Sequence, residues 1–221
     1  MNIFDILGPV MVGPSSSHTA GAVRIGLITK KLLGSVPVRA DITLSGSFAA
    51  TGMGHGTDKA LVAGLLGMEP DNIRIPESFD LAREKGMEFS FSKDNIRDAH
   101  PNTALLEVWA ANGRTLTVQA SSLGGGRIMI NKLDGIEINV TGERPALIVH
   151  NVDQPGHVAE VTSLMAHKSI NIATMNLYRD KRGGYAVMVL ETDQNIPASA
   201  VEWLKRVEGI IKVTCLNIGE E

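Results

Sequence analysis

An α+β chain of two domains is what this sequence predicts, on three observations. Its 221 residues exceed a typical single domain and fall short of three. Its second half alternates strand-like and helix-like hydrophobic periods, six elements in a row. Its first half mixes short alternating runs with two stretches of helical period. Hydrophobic residues at 43% and charged residues at 20% allow a buried core of ordinary size. Aromatics make up only 4%, so the cores are built mainly from Val, Ile, Leu, Ala and Met. A net charge of −3 without a basic stripe, together with few stacking rings, excludes a nucleic-acid-binding surface.

The second half is the more regular. Leu147, Ile148, Val149 and Val152 form an apolar strand that ends in the turn Asp153-Gln154-Pro155-Gly156. From His157 to Lys168, Val158, Val161, Leu164 and Met165 recur at helical spacing. A strand over 170–178, a Gly-Gly turn over 179–184 and a strongly apolar strand over 185–192 follow. A second helix is expected near Pro197, with Ala200, Val201, Leu204 and Val207 on its buried face, and 210–216 is a last strand. The order βαββαβ predicts a ferredoxin-like unit with both helices on one face of an antiparallel sheet.

This segment, from 146 to 221, resembles the ACT domain family in its element order and in the Asp153-x-Pro155-Gly156 turn. The resemblance implies an amino-acid effector site at Asn151, Asp153, Pro155, Gly156 and His157, and pairing of two copies through this domain. Taken locally, Pro-Gly also simply shapes a strand-to-helix turn, with His157 a solvated residue at the helix start.

Residues 1–142 form the other domain. Strands are expected at 38–44, 87–91, 104–109, 116–120, 127–131 and 136–140, and helices after Thr19 and Thr57. Two loops stand out. Gly13-Pro14-Ser15-Ser16-Ser17-His18-Thr19 sets a turn, then three hydroxyls and a histidine at a helix entrance. One serine suffices for an N-cap; three, with free backbone N–H groups, make a place where an anion could bind. The second loop, 46–57, carries Gly52, Gly54 and Gly56 around His55 before a helix from about Asp58. Glycines allow unusual backbone angles and a close approach by a ligand. A histidine at the positive end of a helix stays neutral near pH 7 and so serves as a base or orients a hydroxyl. Neither spacing is that of a histidine metal motif. His100, before a proline, is expected in extended backbone where it could point into a cleft, although His100-Pro101-Asn102-Thr103 and the loop 121–126 read more simply as turns beside strands.

These four motifs occur in the same order in iron–sulfur L-serine dehydratases. The chain resembles the beta chain of their two-subunit form over nearly its whole length. That resemblance implies β-elimination of water from L-serine, giving aminoacrylate and then pyruvate and ammonia. It implies a [4Fe–4S] cluster whose open iron acts as a Lewis acid. Such clusters need several cysteine thiolates, and this sequence has only Cys215. A separate alpha subunit is therefore expected to hold the cluster. By the same resemblance His55 is the first choice for the base at Cα and His18 its partner. Ser15, Ser16, Ser17 and Thr19 bind substrate, while Thr57 and Asp58 orient His55 and cap the helix.

The rival reading is a non-catalytic amino-acid sensor, which the family's likeness to regulatory domains of some phosphoglycerate dehydrogenases supports. A sensor needs no base, and the two histidine loops argue against it. The apolar start, 3–12, holds Asp5 and is broken by Gly8 and Pro9, so neither a leader nor a membrane span is expected and the chain is placed in the cytoplasm.

Overall fold

A computed structural model describes residues 10–52 and 54–219. The start of the chain up to Pro9, read above for a leader, lies outside the described residues. The chain divides between Gly135 and Ile136 into two compact units, each described by itself.

In the first unit a π-helical turn, Ser16–Ala20, runs directly into helix α1 (Gly21–Leu33). Gly34 ends α1 in the left-handed conformation (φ 88°) and returns its N–H to Lys30 and Lys31, the ordinary glycine stop. Strand β1 (Arg39–Ser45) passes straight into a short helix α2 (Gly46–Thr51). Helices α3 (Thr57–Leu65) and α4 (Ser78–Glu84) follow. The remaining strands of this unit are β2 (Glu88–Lys93), β3 (Asn102–Trp109), β4 (Thr115–Gly124) and β5 (Arg127–Leu133), and β6 (Ile136–Val140) follows the division. Within the unit the sheet order is β2-β1-β3-β4-β5. Only β1 and β2 are shown parallel, the crossover carrying α2, α3 and α4; β1/β3, β3/β4 and β4/β5 are antiparallel. Ile25, Leu32, Ile42, Leu61, Leu65, Leu106 and Ile130 are fully buried, so α1, α3 and the central strands share one core.

Two expectations change here. The stretch 46–51, read as a glycine-rich loop, is helical, because only Gly46 (φ 56°) takes the bend and 47–51 are ordinary helix formers. The loop expected at 121–126 is mostly strand: β4 continues through Ser121, Ser122 and Leu123, and only the glycines at the end turn. Ser122 is buried because it faces Gly21 of α1, where any side chain would collide with its hydroxyl.

The second unit contains β7 (Ala146–Val152), α5 (His157–His167), β8 (Ile172–Arg179), β9 (Tyr185–Thr192), α6 (Ala198–Leu204) and β10 (Ile210–Leu216). Its sheet order β10-β7-β9-β8 is antiparallel throughout, the ferredoxin-like arrangement expected. Leu147, Val149, Met188 and Leu190 face Val161, Leu164, Met165, Ala200 and Leu204 in one core. Pro197 stands at the N-cap in extended backbone rather than within the first turn, and Val207 falls beyond the end of α6.

Candidate active site

The serine loop owes its shape to two positions. Gly13 has φ 134°, and a Cβ built on it would lie 2.5 Å from the Thr19 methyl. Ser15, extended, caps the helix: its Oγ accepts from the His18 N–H at 3.1 Å. The first turn is a π turn in which the Gly21 N–H reaches the Ser16 carbonyl five residues back, a geometry often found at functional sites.

His18 lies in a cage of four hydroxyls. Ser17 Oγ (3.1 Å) and Ser15 Oγ (3.4 Å) face Nδ1, while Ser47 Oγ and Thr51 Oγ1 face Nε2, both at 3.1 Å. The buried ring of Phe48 meets it edge-on at 5.3 Å, and the His55 ring stands 5.0 Å away. Thr19 ties the two loops together by donating its hydroxyl to the His55 carbonyl at 3.3 Å. The His55 N–H is shared between the carbonyls of Thr51 and Gly52.

Burial first, and then the neighbouring His55, lower the pKa of His18 from its ordinary 6.5. Neutrality at the helix entrance is thus as expected, but its cause is desolvation and a like-charged neighbour. Since the unfolded chain takes up a proton that the fold refuses, His18's contribution to stability is fully present above about pH 6.5 and declines below it. His18→Asn is expected to flatten the loss of melting temperature between about pH 7 and about pH 5. An unchanged slope would remove His18 from that account.

His55 Nδ1 is buried and has no hydrogen-bond partner among the described residues. His55 forms part of the wall of a cavity of about 340 Å³, with Gly13, Pro14, Thr19, Gly54, Asp58 and Lys59 among the other walls. His18, Ser15, Ser16, Ser17 and Thr57 do not line it. Gly56, left-handed at φ 69°, is the N-cap of α3 and gives no side-chain cap. Thr57 is buried with its hydroxyl unpartnered, and Asp58 Oδ1 accepts from the Lys59 N–H at 2.8 Å. The cap expected from Thr57 is therefore absent, and Asp58 closes the turn locally. The structure adds Ser47, Phe48 and Thr51 to His18, and Lys59 to the cavity. Ser47 and Thr51 stand four apart, one face of a helix, which would have been a signal had 46–51 been read as helical.

His100 is exposed and accepts from the Asn102 N–H through Nδ1 rather than pointing into a cleft. Thr103, Ser121 and Asn131 form a buried chain of hydrogen bonds across β3, β4 and β5.

In the second unit, Gly156 (φ 109°) lets the chain turn into α5. His157 is 8% exposed, its Nδ1 beside Glu160 at 3.2 Å and its Nε2 unpartnered. It is not the solvated helix-start residue that the local sequence suggests, because Gly209 packs against its ring. Asn151 donates to the Val152 carbonyl, while its Oδ1 is buried and unpartnered. Asp153 is turned inward to the 179–184 turn: the Gly183 N–H, at 2.9 Å, and Arg179 hold its carboxyl below the usual range. Pro155 is exposed at the turn. Asn151 and His157 thus hold the open polar atoms of this turn.

No group of three or more His, Cys, Asp or Glu among the described residues is placed to hold a metal ion. Cys215 lies in β10, and burial pushes its thiol up to about 11, away from the thiolate a cluster needs. The residues of this chain do not fit an iron–sulfur cluster. No helix among the described residues is long and apolar enough to cross a membrane.

The family profile of the serine dehydratase beta chain matches residues 2–87, and that of the ACT domain matches residues 146–209. A probable L-serine dehydratase beta chain of Bacillus subtilis (strain 168) is 41% identical over 213 residues, 96% of each chain. The L-serine dehydratase beta chain of Peptoniphilus asaccharolyticus is 37% identical over 206 residues, 93% of each. A D-3-phosphoglycerate dehydrogenase of Archaeoglobus fulgidus is 29% identical over 203 residues, covering 89% of this chain and 37% of that one. Both histidine loops fall inside the first matched segment and the Asn151–His157 turn inside the second, and with near-complete coverage of two relatives the chain belongs to the serine dehydratase beta-chain family and carries an ACT domain.

Proposed function

We propose that this chain is the beta subunit of a two-chain L-serine dehydratase that works in the cytoplasm, with residues 1–142 carrying chemistry and residues 146–221 carrying regulation. Its partner is an alpha subunit that supplies the cysteines for a [4Fe–4S] cluster, since this chain offers one protonated thiol. The observation that supports the reading most is the histidine pair. His55 stands on a cavity wall with an unpartnered ring nitrogen, and His18, held neutral, stands 5.0 Å behind it. In the elimination, His55 receives the Cα proton of L-serine, the Cβ–O bond breaks, and the hydroxyl takes up one proton and leaves as water, so that one proton is removed and one returned. The aminoacrylate tautomerises to the imine, which water hydrolyses to pyruvate and ammonia. Thr19 and Asp58 border the space beside His55, while Ser15, Ser16 and Ser17 act at the adjoining helix entrance. Asn151 and His157, with the turn Asp153-Gln154-Pro155-Gly156, form an effector site for a small amino acid, and two copies pair through the ACT domain.

The test is anaerobic co-expression with an alpha chain from the same genome and a pyruvate assay on L-serine. Alone, the chain is expected to be folded, colourless and inactive; with the alpha chain, pyruvate forms and oxygen abolishes it. Brown, active protein from this chain alone would refute the two-subunit claim. One observation favours a second reading, a non-catalytic amino-acid sensor: a segment like this chain makes up 37% of a dehydrogenase of different chemistry. A stable complex with an intact cluster and no turnover would favour it.

A further inference from the structure

Proton counting around His18 determines more than its position. Thr51 Oγ1 lies 2.9 Å from the Ser47 carbonyl and 3.1 Å from His18 Nε2. A carbonyl only accepts, so the single hydroxyl proton of Thr51 goes to Ser47 O, the back-bond common for a threonine in a helix. Only lone pairs remain for His18. Nε2 must then carry a proton, and Ser47 Oγ, 3.1 Å from the same nitrogen, shares it.

A neutral imidazole has one N–H, and burial beside His55 favours the neutral ring. Nδ1 is therefore an acceptor, and its hydrogen bond comes from the serine loop. Ser17 Oγ is 3.1 Å and Ser15 Oγ 3.4 Å from Nδ1, and the two hydroxyls are 3.3 Å apart. One of these two hydroxyls therefore donates its proton to Nδ1.

We infer that Thr51 is a positioning residue that holds His18 as the Nε2–H tautomer, with Nδ1 turned to the serine loop as an acceptor. This inference stands without the dehydratase reading.

Proton–nitrogen correlation NMR of the imidazole rings in the isotope-labelled full chain tests this, with His18→Asn assigning the signals. Wild type and Thr51→Ser are expected to show the proton on Nε2. Thr51→Val, which leaves only the adaptable Ser47 hydroxyl, is expected to populate Nδ1–H as well. A wild-type ring protonated on Nδ1, or a Thr51→Val ring unchanged from wild type, overturns the role of Thr51. If Thr51→Val fails to fold, the wild-type spectrum still decides the tautomer. All of this is read without the alpha chain, so an inactive complex would sink the dehydratase reading and leave the tautomer standing.

Discussion

Replacing His55 with alanine is expected to lower turnover of the reconstituted complex by about 10²-fold or more while the two chains still assemble. The size follows from the role: a positioned general base contributes roughly 10²–10⁴-fold. Geometry, ahead of any titration argument, selects His55 over His18. His55 lines the cavity and its Nδ1 has no partner, whereas His18 is kept from the cavity by four hydroxyls that occupy both its nitrogens. The His55 side chain also makes no hydrogen bond within the described residues that truncation would break, so the loop should survive: its backbone is held by Thr51, Gly52 and Thr19. Steady-state pyruvate formation together with co-elution of the alpha chain separates loss of chemistry from loss of assembly. Near-normal turnover in His55→Ala would move the base to His18 or to the alpha chain. His18→Ala, by contrast, opens the hydroxyl cage and is expected to act more weakly and through substrate affinity.

How much of this was legible beforehand depends on the kind of signal. The six elements that follow β6 appear in the expected order because each has a clear period and a Gly or Pro boundary. The two histidine loops were legible because a hydrophobic core would not need serines and glycines at those places. What was missed had no local period. Helix α2 has six residues, too few for an amphipathic pattern, and it begins with a glycine that reads as loop. Its Ser47 and Thr51 matter only because β1 delivers α2 beside a residue 29 positions earlier in the chain. The end of β4 was missed because buried serines look like a turn, and their burial depends on the bare glycine of α1 above them. His157 looked solvated because its covering residue, Gly209, lies at the far end of the unit's sequence.

The second large effect is expected far from any reacting atom. Helices α1 and α3 cross with Gly26 facing Gly64, and each glycine lies about two turns beyond one of the two histidines. A Cβ at Gly64 would run into the Val23 carbonyl and come within 2.6 Å of the Leu27 nitrogen; one at Gly26 would meet the Leu61 carbonyl. The obstacles are backbone, so no rotamer change relieves them and the helices must separate. Val23, Leu27, Leu61 and Leu65 around the crossing are all buried and would lose contact together. Overpacking of this kind costs about 1–3 kcal/mol, against at most about 1 kcal/mol gained from alanine's better helix propensity. The clash wins. With roughly 2–4 °C per kcal/mol for a chain of this size, Gly64→Ala is expected to lower the melting temperature by about 5 °C. A melting temperature equal to or above wild type would show that propensity outweighs the crossing. The crossing also sets the separation of the two helix entrances, and with it the 5.0 Å between the His18 and His55 rings. Gly64→Ala should therefore reduce turnover in the complex even at temperatures where it remains folded, because the spacing of the histidines is a property of the helix pair rather than of the loops that carry them.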